Sequence, residues 1–335
     1  MKKVEIEKVR DDLGIYKINV PLPDNPLKNL NSYVIKTEEK NLIIDTGFNR
    51  PESKEALLEG LRILDIDMDK TEIYATHLHE DHIGLIGELI QDDTVVYMTQ
   101  RDYQYMWRCD IYDGWTTSEN RLMENGFPLE EVIITRKTNP ARIYGTGSLF
   151  PVKLIGDGDI IKIGEYELKV ITVPGHTPGN TCLYIESEKI LFSGDHVLFD
   201  ITPNITVWNF ERDPLGEYLD SLKKIRKVDV ELVLPGHRLN QMDFYERVDQ
   251  LLEHHKVRLM EAGKVIKECG PINAYDLAAK MTWSMRGKNW EEFPIHQKWF
   301  AVGEALSHLD YLRIRGHIVE EVDVNTNIIN YSMAK

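Results

Sequence analysis

The sequence predicts an α/β protein whose C-terminal part turns helical. Three observations carry that expectation. Short apolar runs bounded by Gly, Pro, Asn and Asp alternate with helical patterns as far as about residue 240. Four of those runs end in turns that hold histidine or aspartate, at residues 76–84, 174–180, 193–197 and 235–237. From Phe244 onward the apolar residues fall mostly at helical spacing, until two short runs close the chain. With 335 residues, two domains are expected. They are residues 1–243, interrupted by an inserted, lid-like segment at 101–150, and residues 244–335.

Composition narrows the function classes. Hydrophobic residues make up 42% of the chain, enough for a sizeable core. A formal net charge of -15 and the lack of a long basic run argue against a nucleic-acid partner. No stretch approaches a membrane span, and the first residues lack an apolar signal core. Cys109, Cys182 and Cys269 are widely spaced, as free thiols of a reducing compartment would be, so a cytoplasmic protein is expected.

Taken in order, residues 14–20 alternate as a strand, and the prolines of 21–26 stop it. Residues 31–35 and 41–47 read as a hairpin around the polar turn 36–40. Asp45 closes a buried strand before a Gly turn. Its ordinary role there is to accept hydrogen bonds from nearby backbone amides; the functional alternative is a carboxylate that holds a metal loop in place. A helix over 52–64 and a strand over 72–76 lead into His77-Leu-His79-Glu-Asp81-His82, four possible metal donors within six positions. A continuous helix could not converge them, because residues two apart do not share a helix face. A strand-to-helix turn can. Imidazole with carboxylate suits zinc, and also iron or manganese. One ion usually takes three or four protein donors, so this turn seeds two sites and completes neither.

A strand over 94–98 precedes the segment 101–150, where Tyr103, Tyr105, Met106, Trp107, Tyr112 and Trp115 crowd together. Ser118 is expected to cap a short helix reaching Asn125. Any one of these aromatics is ordinarily a small satellite core; as a group they suit a pocket wall for an apolar substrate group, with Tyr103 and Trp107 as candidate contacts. Strands over 158–163, 166–173, 181–186, 189–192 and 230–234 follow, the last three ligand-bearing turns standing at strand ends. A single Pro-Gly-His turn is commonplace. Four donor-bearing strand ends can converge on one sheet edge, where rigid strands hold them.

The ordered set His77-x-His79-x-Asp81-His82, His176, Asp195 and His237, with Asp-Thr-Gly at 45–47, resembles the metallo-β-lactamase superfamily over roughly residues 10–240. The resemblance implies an αββα sandwich with metals at one edge. It implies a first metal on His77, His79 and His176, a second on Asp81, His82 and His237, and Asp195 between them. Asp81 would also orient the attacking water, and Asp45 would act behind the donors. Asp195 and His237 resemble the glyoxalase II-like and lactonase-like branch; the long insert departs from compact glyoxalase II, so no substrate carries over.

Two divalent ions, zinc first, are therefore the expected cofactors. A metal-held water loses its proton near pH 7, which supplies a nucleophile for a carbonyl or a phosphorus centre. The expected activity is hydrolysis of a carboxylic ester, thioester or lactone of a small molecule. The alternatives are a phosphodiesterase or ribonuclease, and an iron persulfide dioxygenase using the positions of His77, His176 and Asp195. His196, His254, His255, His296, His308 and His317 are expected on surfaces or in packing. Three helices, over 244–268, 274–281 and about 295–313, precede a hairpin around 323–327. That order resembles a winged-helix module, as in the endoribonuclease-like branch. Glu304 and Asp310 on its third helix would meet phosphates with the wrong sign, so a structural role is expected, as a pocket wall or a homodimer face.

Overall fold

The apolar runs of the first 155 residues pair into one seven-stranded sheet. The computed structural model describes residues 4–111, 114–146, 149–208, 213–240, 242–284 and 289–335. In this sheet β1 (Ile6–Arg10), β2 (Ile15–Pro21), β3 (Asn29–Lys36), β4 (Asn41–Ile44), β5 (Thr71–Tyr74), β6 (Val96–Thr99) and β7 (Lys153–Ile155) lie in sequence order. The pairs up to β3–β4 are antiparallel, and β4 to β7 run parallel. A second sheet holds β8 (Ile160–Ile163), β9 (Tyr166–Thr172), β10 (Thr181–Ile185), β11 (Ile190–Gly194) and β12 (Leu232–Pro235) in the order β12-β11-β10-β9-β8.

Alternation explains how the sheets stack. On β3 and β4, Tyr33, Ile35, Leu42 and Ile44 face the second sheet, where Leu183, Ile185, Ile190 and Phe192 answer them in one core. The opposite faces are apolar as well. Val34 and Ile43 pack with Leu57 and Leu61 of α1 (Pro51–Ile63), in a core that also holds Ile83 and Ile86 of α2 (Glu80–Ile83) and α3 (Ile86–Leu89). The near-continuous apolar strands follow from burial on both faces. The expected single helix after the histidine turn is thus two short ones.

The insert contains α4 (Gln100–Ile111), α5 (Gly114–Glu124), α6 (Leu129–Thr138) and α7 (Pro140–Ile143). Ser118 does not cap α5. It lies inside that helix and its hydroxyl donates to the Gly114 carbonyl at 3.1 Å, the back-bonding available to a serine one turn on. Tyr112 lies outside the described residues. On the far side of the second sheet, α8 (Pro214–Ile225) and α9 (Phe244–Cys269) bury Leu215, Tyr218, Leu222, Val248 and Leu251 against Cys182 and Leu191. The layers are therefore helix, sheet, sheet, helix, as expected.

After α9 come α10 (Ala274–Lys280), α11 (Ile295–Ile314) and a hairpin of β13 (Ile318–Val322) and β14 (Ile329–Met333). Asn273 caps α10, accepting from Asp276 N at 2.8 Å. Leu122, Phe127 and Val132 of the insert share one core with Leu277, Val302, Leu306 and Leu309 of the C-terminal helices. The second half of the insert is thus packed into one core with the C-terminal helices.

Helix α11 corrects one expectation. Glu304 and Asp310 are buried, not presented to solvent. Asp310 pairs with Arg121 and Arg313, and Glu304 faces Arg258 and Asn204. Both acids point into the protein because α11 packs against the insert, α8 and α9 at once. No described helix is long and apolar enough to cross a membrane.

Candidate metal centre

Every one of the seven donors predicted from the sequence reaches the same edge of the sandwich. His77 and His79 stand on the turn after β5, Asp81 and His82 in α2 directly behind it, His176 on the turn after β9, Asp195 after β11 and His237 after β12. Donor atoms of His77, His79 and His176 lie within 4.8 Å of one another, as do those of Asp81, His82 and His237. Asp195 stands between the groups. Its Oδ1 is 3.5 Å from His82 Nε2, and its Oδ2 is 3.5 Å from His237 Nε2 and 3.8 Å from His176 Nε2. Gly236 makes room for it, since a Cβ there would lie 2.6 Å from Asp195 Oδ1.

Partners behind the rings fix which nitrogen faces inward. His176 Nδ1 donates to the Asn204 carbonyl and His237 Nδ1 to the Asn29 carbonyl, both at 2.9 Å. Carbonyls only accept, so each Nδ1 carries the proton and each Nε2 points into the centre. Asp45 does the same for His82, accepting from its Nδ1 at 2.7 Å. Asp45 also accepts from Thr76 N at 2.9 Å and Thr76 Oγ1 at 2.7 Å. The Thr76 hydroxyl proton being committed, its oxygen accepts from His77 Nδ1 at 3.0 Å. Asp45 accepts three hydrogen bonds in all. It braces the turn backbone and orients one ring directly and another through Thr76.

The inward atoms call for positive charge. His77 Nε2 lies 3.0 Å from His79 Nδ1, and His82 Nε2 lies 3.2 Å from His237 Nε2. Two imidazole nitrogens facing each other need a proton or a cation between them. His176 Nε2 and Asp195 Oδ1 are buried with no hydrogen-bond partner, a costly arrangement for apolar surroundings and an ordinary one around a metal. The donor set fits two divalent cations.

Electrostatics divides the centre in two. Burial, then the charge of His82, pushes His77 well below the usual imidazole range, and burial with His176 takes His79 down to about 3. Burial lowers His176 as well. His82 goes the other way. Burial would lower it, but Asp45, Asp195 and Asp81 raise it well above the usual value. His237 is raised too, Asp195 and Asp81 overcoming burial. Asp81 drops to about 2, because His82 and His237 outweigh its burial, and Asp195 is lowered further by His237 and His82 against the same burial. Burial thus disfavours the protonated form in the first trio, and the carboxylates favour it at His82 and His237.

Four contributors escaped the sequence reading. Asp102, fully buried in the first turn of α4, accepts from Leu78 N at 2.9 Å, Thr177 Oγ1 at 2.7 Å and Gly179 N at 2.5 Å. It ties the turn of His77 and His79 to the turn of His176. Burial still pushes its carboxyl up to about 6 despite those donors. Its one legible signal was an acid at a helix start, which is commonplace. Asn29 and Asn204 act through backbone carbonyls and left no side-chain signal. Trp208 stacks on His79, ring centroids 5.8 Å apart at 29°, and Tyr105 meets Trp208 edge-on at 4.9 Å. Tyr103 packs on the core beneath α4, and Trp107 stands 40% exposed on the same helix. The aromatic contact with the histidines runs through Trp208 and Tyr105.

Asp102→Ala is expected to strand three buried donors and destabilise the fold by about 3 kcal/mol or more. Thermal unfolding of the chelator-treated chain measures it, and an unchanged midpoint would show that the two turns hold together without Asp102.

The family model of the metallo-beta-lactamase superfamily matches residues 26–237, a span that contains all seven donors. A beta-lactamase-like protein 2 homolog of Caenorhabditis elegans is 26% identical over 265 residues, 78% of this chain and 74% of that protein. A human protein named acyl-coenzyme A thioesterase MBLAC2 is 29% identical over 220 residues, 62% of this chain and 72% of its own. The crystal structure of a metallo-beta-lactamase family protein from Thermus thermophilus shares 26% identity at a TM-score of 0.80, covering 96% of this chain and 98% of that one. That likeness extends into the insert and the C-terminal helices.

Proposed function

This chain belongs to the metallo-beta-lactamase superfamily, whose members are generally hydrolases, and from that premise we propose that it hydrolyses a small acyl thioester at the carbonyl carbon. Esters and lactones are the neighbouring substrates of the same chemistry. The observation that carries the reading is the convergence of seven donors with their free nitrogens and carboxylate oxygens turned inward.

In this reading His77 through Nε2, His79 through Nδ1 and His176 through Nε2 hold one cation. Asp81, His82 and His237 hold the other, and Asp195 serves both. Zinc is the first candidate on donor type, with iron and manganese as alternatives. Such ions, when bound, supply Lewis acidity and water of lowered pKa at neutral pH. Asp81, less buried than Asp195, offers its carboxylate at the rim, where it orients the attacking water by accepting a hydrogen bond. Trp208 and Tyr105 form an apolar wall beside His79 that suits an acyl group and excludes bulk water. A thioester fits because its leaving thiol, with an ordinary pKa of about 8.5, departs near neutral pH with little need for a proton donor. The human relative's name supports the same bond type.

The test pairs elemental analysis of the purified chain with a panel of acyl thioesters, aryl esters, lactones, a phosphodiester and single-stranded RNA. About two divalent ions per chain and fastest turnover of a thioester are expected. Faster cleavage of the phosphodiester or of RNA would refute the substrate class. One tightly held iron, with oxygen consumed on adding a persulfide, would refute hydrolysis.

A further inference from the structure

We infer that helix α11, far along the chain from the donor motifs, is a positioning element of the metal centre, because it fixes the loop whose Asn204 carbonyl orients His176 and whose Trp208 lies on His79. The inference rests on the proposed role of His77, His79 and His176 as holders of one cation.

Between β11 and α8 the described residues form no helix or strand. The stretch 200–208 therefore takes its place from what it touches, and much of what it touches is α11. Asn204 Nδ2 donates to Glu304 Oε2 at 3.2 Å and reaches the Phe300 carbonyl at 3.4 Å. Ser307 Oγ lies 2.6 Å from the Ile205 carbonyl and 2.8 Å from that of Glu304. Gly303 takes Thr206 against its backbone, so a Cβ there would lie 2.3 Å from Thr206 Oγ1. Arg121 of the insert, itself paired with Asp310 of α11, donates to the Trp208 carbonyl at 3.3 Å. Contacts on four residues in a five-residue stretch leave little freedom to slide.

Both ends of this short path matter to the donors. The Asn204 carbonyl holds the Nδ1 proton of His176, which fixes the ring and turns Nε2 inward. Trp208 limits the tilt of His79. Shifts well under 1 Å matter at such a site, and partners standing behind metal-binding histidines alter metal affinity by about 10–100-fold when removed. Glu304 is the hinge of the arrangement. It is buried, is faced by Arg258 Nε at 3.7 Å, and offers Asn204 a fixed acceptor.

The experiment strips the full-length chain with a chelator and titrates it with Co(II), following visible absorption and bound stoichiometry, beside thermal unfolding of the metal-free form. Gly303→Val and Glu304→Ala are expected to weaken one of the two Co(II) sites by about 10–100-fold and to change its absorption. Glu304→Gln keeps an acceptor for Asn204 and is expected to titrate as wild type. Should Gly303→Val fail to fold, Ser307→Ala carries the same test with a smaller change. Folded Glu304→Ala and Ser307→Ala chains that bind both Co(II) ions as wild type does, with only the unfolding temperature lowered, would reduce α11 to a structural support and overturn the inference. A wild-type chain that binds no Co(II) would instead overturn the metal-centre reading from which it starts.

Discussion

Asp195→Ala is expected to leave at most one tightly held cation per chain and to remove nearly all turnover. Among the described residues Asp195 is the one carboxylate within reach of both histidine groups, 3.5 Å from His82 and His237 and 3.8 Å from His176. Two divalent ions in a dinuclear site sit about 3.5–4 Å apart and repel each other. A unit-charge pair at 4 Å is worth about 4 kcal/mol at an effective dielectric of 20, and a dication doubles that on each side of the carboxylate. If only half of one such interaction survives desolvation, affinity for one ion still falls by about 10³-fold. Asp195→Asn keeps the shape and removes the charge, so it should fail nearly as badly, which separates charge from packing. Elemental analysis after gel filtration and thioester turnover are the measurements. Full stoichiometry with full turnover in Asp195→Ala would remove this turn from the site.

The contrast between donors and supports shows where the sequence is legible. Side chains that must meet a cation are restricted to a few types, and a strand end followed by a Gly turn is a local pattern. His77, His79, Asp81, His82, His176, Asp195 and His237 could therefore be read before any coordinates. The positions of most strands and the helical C-terminal part were also legible, since burial on two faces makes the strands apolar throughout and burial on one side gives helices their stripe. Supports that act through a backbone carbonyl, as Asn29 and Asn204 do, are open to any residue type and leave no trace. Asp102 is one acid among many until the turn after β5 and the turn of residues 174–180 are brought around it. Helix α11 misled for a related reason. Its acids read as solvent-facing because a sequence does not say that a helix is covered on several sides. Their partners, Arg121, Arg258 and Asn204, come from three other parts of the chain.

Removing the cations should cost the fold as well as the activity, and restoring them should depend on pH in two stages. A ligand present at 1,000 times its dissociation constant stabilises the folded state by about 4.1 kcal/mol, so two such ions contribute about 8. At about 2.1 cal/mol/K of unfolding entropy per residue, a 335-residue chain shifts by roughly 1.4 °C per kcal/mol, so chelation should lower the unfolding midpoint by on the order of 10 °C. The pH dependence follows from the two halves of the centre. His77, His79 and His176 are held below the ordinary imidazole range and are already neutral at pH 7, so a cation there displaces few protons. His82 and His237 are held above it by Asp45, Asp195 and Asp81, so in the metal-free chain they keep their protons to higher pH. A cation entering the second half must expel those protons, and its affinity therefore rises with pH across that range. Zinc titrations at pH 6 should resolve a tight and a weak step, the weak one with proton release visible in a lightly buffered indicator solution. At pH 8 the steps should draw together. An unfolding midpoint indifferent to chelation, or equal steps at both pH values without proton release, would mean that the buried histidines serve packing rather than metal.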